Sequence, residues 1–348
     1  MSWARWVLAA ACAGLLLGAG GQVARGLFDQ GLSPVDAGPG ADADCASCHA
    51  EIAAEWATSR HALAWTNGTF QREYKREPLD WCVRCHAPLA TGSADSVGPV
   101  EAQGVTCAVC HQRDGRFLSA ATSAASPHQT EVVANFASSQ LCEGCHEFTF
   151  PFVDDDHAVR RLTDLPMQTT VSEFRASPYA GLPGECLFCH GATPFGHALP
   201  GGRDLPSLQH AAELTACAPR PGHLRLTVRN HGAGHRIPTG DVHRHFQLRA
   251  WRSSAPATMF EVFIGRTFEV VEGAGKKIVR NTSIDPLDSR TWNLRVASLG
   301  GLETEPVNVE LRYVYTADEE PTERNHPGEP TFAIVDALRS TEFSKCSP

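Results

Sequence analysis

Five segments of this 348-residue chain carry the pattern Cys-x-x-Cys-His, at residues 45–49, 82–86, 107–111, 142–146 and 186–190. Two thiols three positions apart can add to the two vinyl groups on one edge of a porphyrin. The histidine that follows at once is then held under the iron as an axial ligand. Paired Cys-x-x-Cys knuckles also build tetrahedral zinc sites, but zinc gives no reason for a histidine directly after every pair. The pattern therefore predicts five covalently attached haem c groups. Their thioethers come from Cys45, Cys48, Cys82, Cys85, Cys107, Cys110, Cys142, Cys145, Cys186 and Cys189. Their proximal iron ligands are His49, His86, His111, His146 and His190.

Each iron needs a sixth ligand or an open position. Sixteen histidines minus the five proximal ones leaves eleven, whereas only Met1, Met167 and Met259 could offer sulfur. Bis-histidine ligation must dominate, and because methionine raises haem potential, the set is expected to be of low potential. His61 ends a run, residues 50–64, that reads as helix. Twelve residues separate it from His49, about 18 Å along a helix, whereas two axial ligands of one iron lie only about 4 Å apart. His61 is thus expected to reach a neighbouring haem.

His128 stands in a Ser/Ala/Pro loop, and His197 in a Gly/Pro-rich stretch after the fifth motif. His235 lies in Gly-Ala-Gly-His-Arg-Ile-Pro-Thr-Gly, residues 232–240, where small neighbours let backbone approach a flat macrocycle. These are the remaining distal candidates. His157, His210, His243 and His245 read as ordinary histidines. Four distal candidates for five irons means that a weaker candidate completes the set or one iron keeps a labile position. An internal echo bears on this. Residues 55–62 (Glu-Trp-Ala-Thr-Ser-Arg-His-Ala) align with residues 173–180 (Glu-Phe-Arg-Ala-Ser-Pro-Tyr-Ala), with Tyr179 in the place of His61.

The elements that position these residues fall into an α+β, multidomain plan. Residues 1–24 read as a signal peptide or an N-terminal anchor and 25–44 as a flexible linker. Residues 45–217 form a haem-packed domain of short helices and loops, since so few residues per cofactor cannot wall each one off. Residues 218–346 form a β-sandwich, with alternating segments at 223–229, 245–251, 259–271, 292–296 and 307–315 separated by turn residues. A polar loop, 319–330, precedes a last apolar segment, 331–338. Besides the haem thiols and Cys12, two cysteines remain: Cys217 and Cys346, at the two ends of the sandwich. In an oxidising compartment they could pair, or each could stay a buried thiol. Export agrees with c-type haem attachment outside the cytoplasmic membrane, so a periplasmic or cell-surface location is expected, with membrane association if the N-terminal segment is retained. The net charge of −9 and the absence of a Lys/Arg-rich run argue against nucleic acid; the expected partners are redox proteins, and an acidic surface would steer a basic one without identifying it.

With these residues in view, the chain resembles the multihaem cytochromes related to the tetrahaem cytochrome that accepts electrons from hydroxylamine oxidoreductase. The resemblance is carried by the first motif with Glu55, Trp56, Ser59, Arg60 and His61, by Gly104, Val105 and Thr106 before Cys107, and by Thr170, Glu173, Phe174, Ser177, Pro178 and Tyr179 before Cys186. Residues 234–240 are similar to relatives that bear a C-terminal β-sandwich. The resemblance implies mostly bis-histidine haems in close stacked pairs, with His61 a cross-haem ligand, and in some relatives a five-coordinate or catalytic haem. No Cys-x-x-Cys-Lys motif of the pentahaem nitrite reductases is present. The expected function is electron transfer through a row of five haems. The alternative is an oxidoreductase acting on a small nitrogen or sulfur compound at one open iron.

Overall fold

The computed structural model describes residues 44–90, 94–99, 101–121, 127–155, 158–272, 274–315 and 331–347. The expected export segment 1–24, nearly all of the linker, His157 and the loop 319–330 lie outside the described residues.

Cysteine motifs set the helices of the first half. The first motif begins in a 3-10 turn, Cys45–Ser47, and helix α1, Ala50–Ala57, follows. Helix α2 is Gly68–Arg76 and α3, Asp80–His86, contains the second motif. The third motif is itself helix α4, Cys107–His111. The fourth ends α5, Ser139–His146. After α6, Thr170–Arg175, the fifth motif forms α7, Cys186–His190. One helical turn sets Cys i, Cys i+3 and His i+4 on one side of the element, and each of these four helices stops at its histidine. Asn67 caps α2 by accepting a bond from the Phe70 amide at 2.9 Å. Its inner side packs Tyr74 with Val83, Ala87 and Ala90.

Two expectations for this half need correction. The helical run expected over 50–64 ends at Ala57. The Thr58 hydroxyl donates to the Glu55 carbonyl and buried Ser59 accepts from the Ala62 amide, so the chain turns instead. The half is also not only helix and loop. A small sheet joins β1 (Gln112–Arg113), β2 (Arg116–Ser119) and β3 (Thr130–Val132). A long antiparallel hairpin joins β4, Glu147–Val153, to β5, Val159–Thr169. Pro151 and Pro166 sit within these strands, where they break the ladder and shift its register. That interruption hid the hairpin from pattern reading.

Helix α8, Leu205–Ala211, leads into the sandwich. The smaller sheet runs β11 (Ser289–Arg295), β7 (His223–Asn230), β6 (Ala212–Cys217). The larger runs β10 (Gly275–Asn281), β9 (Phe260–Val271), β8 (His245–Trp251), β12 (Val307–Val314), β13 (Phe332–Ser340). All pairings within these two sheets are antiparallel. Leu224, Leu226 and Val228 alternate inward from β7 and meet Phe246, Leu248, Ile264, Val309 and Leu311 of the other sheet. Each fully buried Leu or Phe contributes about 1.5–3 kcal/mol.

Because β6 pairs with β7 from Ala212 to Cys217, the expected boundary after residue 217 severs a strand from its sheet. The sandwich begins at Ala212. The β4–β5 hairpin lies against β10, where a side chain at Gly275 would run into the Phe150 ring at 2.5 Å.

Cys217 and Cys346 are bonded to each other across a sequence separation of 129. Closing so long a loop restricts the unfolded chain. Replacing both by serine is expected to cost about 2–5 kcal/mol, read as a lower melting temperature for the sandwich; equal melting of the variant and the parent contradicts this role.

Candidate functional site

Four of the five motif histidines face a second histidine ring. His49 lies opposite His128, with ring centroids 6.4 Å apart. His146 faces His61 at 6.2 Å, His111 faces His197 at 6.1 Å, and His190 faces His235 at 6.3 Å with the rings nearly parallel. Two metal–nitrogen bonds of about 2 Å each, plus the depth of two imidazole rings, come to about 6 Å. The spacing in all four pairs thus suits one metal atom clasped between two imidazoles. Spacing alone does not define such a site, since the exposed pair His210 and His231 also lies at 6.1 Å with no cysteine motif beside it.

Backbone carbonyls fix how the rings point. Nδ1–H of His86 donates to the Ala64 carbonyl at 2.7 Å, that of His111 to Leu118 at 3.0 Å, and that of His190 to Pro200 at 2.5 Å. On the distal side, His235 donates to the Arg236 carbonyl at 2.9 Å and His197 to that of Phe195. A carbonyl can only accept, so Nδ1 carries the proton and the Nε2 lone pair is left for a metal. Burial lowers the pKa of His61, with nearby His190 adding to it, and burial likewise lowers His86 and His111. His146 falls to about 4 through burial and the neighbouring His61 and His190, and burial takes His235 to about 4 as well. These imidazoles stay neutral at pH 7, the form that ligates.

His61 owes its place to the turn after α1. Its carbonyl accepts from the Val105 amide at 3.0 Å and the Ala64 amide at 3.1 Å. Gly104 passes so close, at φ +77°, that a Cβ there would lie 2.5 Å from the His61 carbonyl oxygen. His86 differs from the other four. Its ring stacks on Phe70 at 3.6 Å, and among the described residues no histidine ring opposes it. Phe70 is held there by Trp65 and Tyr74. Tyr179, the counterpart of His61, lies beside Gly234.

The residues fit haem better than a bare ion. Among the described residues no three of His, Cys, Asp and Glu converge as a zinc site requires. A cavity of about 1260 Å³ opens between α3, α5, α6 and the β4–β5 hairpin, lined by Trp81, Arg84, Cys85, Glu143, Phe148 and Arg175 among others. It exceeds the roughly 300–1,000 Å³ of an ordinary small-ligand pocket. Arg84 turns two buried nitrogens, Nε and Nη1, toward no protein acceptor, as a carboxylate-bearing cofactor would require.

Thiols of different motifs also meet. Cys45 lies within hydrogen-bonding reach of Cys107, Cys85 of Cys145, and Cys142 of Cys186. Burial pushes the Cys82 thiol up to about 12 and that of Cys107 up to about 11. These contacts were not legible in the sequence, because each joins motifs far apart along the chain.

Residues 44–112 match the family model described as cytochrome c554 and c-prime. No curated protein matches the chain. Among solved structures, a penta-heme cytochrome c552 from Thermochromatium tepidum superposes with a TM-score of 0.66 at 19% identity. The match covers 85% of this chain and 97% of that one. At that identity the likeness is one of fold.

Proposed function

We propose that this chain is an exported pentahaem c-type cytochrome that carries single electrons between redox proteins. The observation that supports the reading most is the fourfold recurrence of a motif histidine facing a second histidine at 6.1–6.4 Å. The ten motif cysteines would hold five haem c groups. The pairs His49/His128, His111/His197, His146/His61 and His190/His235 would supply both axial ligands to four of them. Bound there, haem c supplies a one-electron iron couple, kept at low potential where both ligands are imidazole. The chain's own part is to aim the imidazoles and to pack the cofactors closely. Cross-motif thiol contacts favour neighbours in the order first–third, second–fourth and fourth–fifth. Through His235 the sandwich would complete the fifth site and tie the two halves together. The acidic surface favours a basic partner. Among the described residues no helix is long and apolar enough to cross a membrane.

A second reading, reduction or oxidation of a small nitrogen or sulfur compound, is favoured by one observation: His86 stacks on Phe70 and, among the described residues, faces no second imidazole. A reductive titration tests the first reading. Five electrons taken up per chain, each reversible at low potential, agree with it; fewer than five, or an irreversible step, count against it. Carbon monoxide binding to one of the five reduced irons, with substrate turnover, would move the weight to the second.

A further inference from the structure

We infer that Glu55 and Glu173 are positioning residues, each holding the loop that presents a distal histidine to an iron whose motif lies elsewhere in the chain. The inference rests on the reading that His111/His197 and His190/His235 each clasp an iron.

The two glutamates open the two copies of the internal echo, and both copies fold alike. In the first, the Ser59 amide donates to the Trp56 carbonyl at 2.8 Å; in the second, Ser177 donates to Phe174 at 2.9 Å. The serine hydroxyl then accepts an amide of the following turn, from Ala62 at 3.2 Å in one copy and from Tyr179 at 3.1 Å in the other. The same short helix-and-turn unit is used twice.

Each unit sends its glutamate to a ligand loop distant in sequence. Glu55 accepts from the His197 amide at 2.6 Å with one carboxylate oxygen and from the Phe195 amide at 3.3 Å with the other. Its own desolvation raises its pKa, but these backbone bonds outweigh that and leave the carboxyl below its usual range. Glu173 accepts from Thr169 at 2.7 Å and from Thr239 at 2.8 Å, four residues after His235. Thr239 also bonds Thr170 at 2.9 Å.

The aromatic residue after each glutamate works on the same site. The Trp56 indole donates to the Val105 carbonyl at 2.9 Å, two residues before the motif of His111, the ring that faces His197. Phe174 lies against Gly234, where a Cβ would come within 3.2 Å of its ring. So the first unit braces both sides of the His111/His197 pair, and the second braces the backbone next to His235. At the seventh position the copies diverge. His61 faces an iron site itself, whereas Tyr179 supports the His235 loop.

The test uses the full holoprotein with Glu55→Ala, Glu55→Gln and His197→Ala. Glu173→Ala and His235→Ala are made in parallel. Haem content, low-temperature EPR, melting and the rate of carbon monoxide binding to the reduced protein are measured for each. His197→Ala should open one iron. Glu55→Ala should keep five haems yet bind carbon monoxide at that same iron about tenfold faster than the parent, the factor equivalent to one charge-assisted hydrogen bond. Glu55→Gln, retaining one acceptor oxygen, should fall between; Glu173→Ala should act at the iron opened by His235→Ala. If His197→Ala opens an iron and the Glu55 variants bind carbon monoxide like the parent, the inference is wrong and the ligand reading stands. If His197→Ala opens none, the ligand reading itself fails and the inference with it. Should Glu55→Ala not fold, Glu55→Gln decides by the same rate: faster supports the role, unchanged overturns it.

Discussion

Replacing His61 by alanine is expected to leave all five haems attached and to turn one low-spin iron high-spin. The iron affected is not that of the first motif, which His61 follows closely in sequence. The His61 ring lies 6.2 Å from that of His146, in the fourth motif. His49 instead faces His128. Truncation removes the imidazole but not the turn that carries it, because the turn is held by the Val105 and Ala64 amides on the His61 carbonyl. The damage should therefore stay at one iron, whose open position becomes visible as a high-spin signal and as carbon monoxide binding after reduction. A variant that stays fully low-spin contradicts the pairing.

The second large effect separates two motifs that look alike in sequence. Removing both thiols of the fourth motif, Cys142→Ala with Cys145→Ala, is expected to abolish the folded holoprotein. Those two sulfurs lie against Cys186 and Cys85, and Glu143, Gly144 and Cys85 line the large cavity. Losing a cofactor there leaves that cavity unfilled. Voids of this kind are costly, at about 24 cal/mol for each Å³ that does not collapse. The first motif stands at the edge. Its 3-10 turn contains no buried residue and Cys48 is exposed. Cys45→Ala with Cys48→Ala should therefore give a folded protein with four haems. In that tetrahaem background His61→Ala should still create its high-spin signal, since the iron it serves remains. The measurements are yield of soluble holoprotein and pyridine haemochrome per chain; equal tolerance of the two double substitutions contradicts the central place of the fourth motif.

Much of the sandwich was legible in the sequence because alternation with period two survives in strands that pack on one side. His245–Trp251 has the same bounds in structure as in pattern, and Val307–Val314 differs by one residue. Strands β6 and β10 escaped notice for different reasons. β6 follows a helix without a turn residue between them, and β10, Gly-Lys-Lys-Ile-Val-Arg-Asn, is an edge strand with little burial to impose a pattern. In the first half Pro151 and Pro166 interrupt the ladder that would have written a period-two pattern, so the β4–β5 hairpin went unread. The motifs themselves were plain, being local in sequence. That His61 misses His49 was expected from a helix running on to residue 64; the helix ends at Ala57, yet His61 still faces His146 and not His49. Which motif it meets was not legible, because it depends on the path of more than eighty intervening residues. The brace formed by Glu55 on residues 195–197 spans more than 140 positions. In sequence it is announced only by the echo at Glu173.

The proposed function turns on five haems, four of them gripped by two histidines. Low-temperature EPR of the oxidised holoprotein, with haem counted by pyridine haemochrome, tests it most directly. Five haems per chain and four low-spin irons of bis-imidazole type are expected, with the fifth signal belonging to the His86 site and reporting what lies opposite it. Fewer than five haems, or more than one high-spin iron in the unmodified protein, would contradict it.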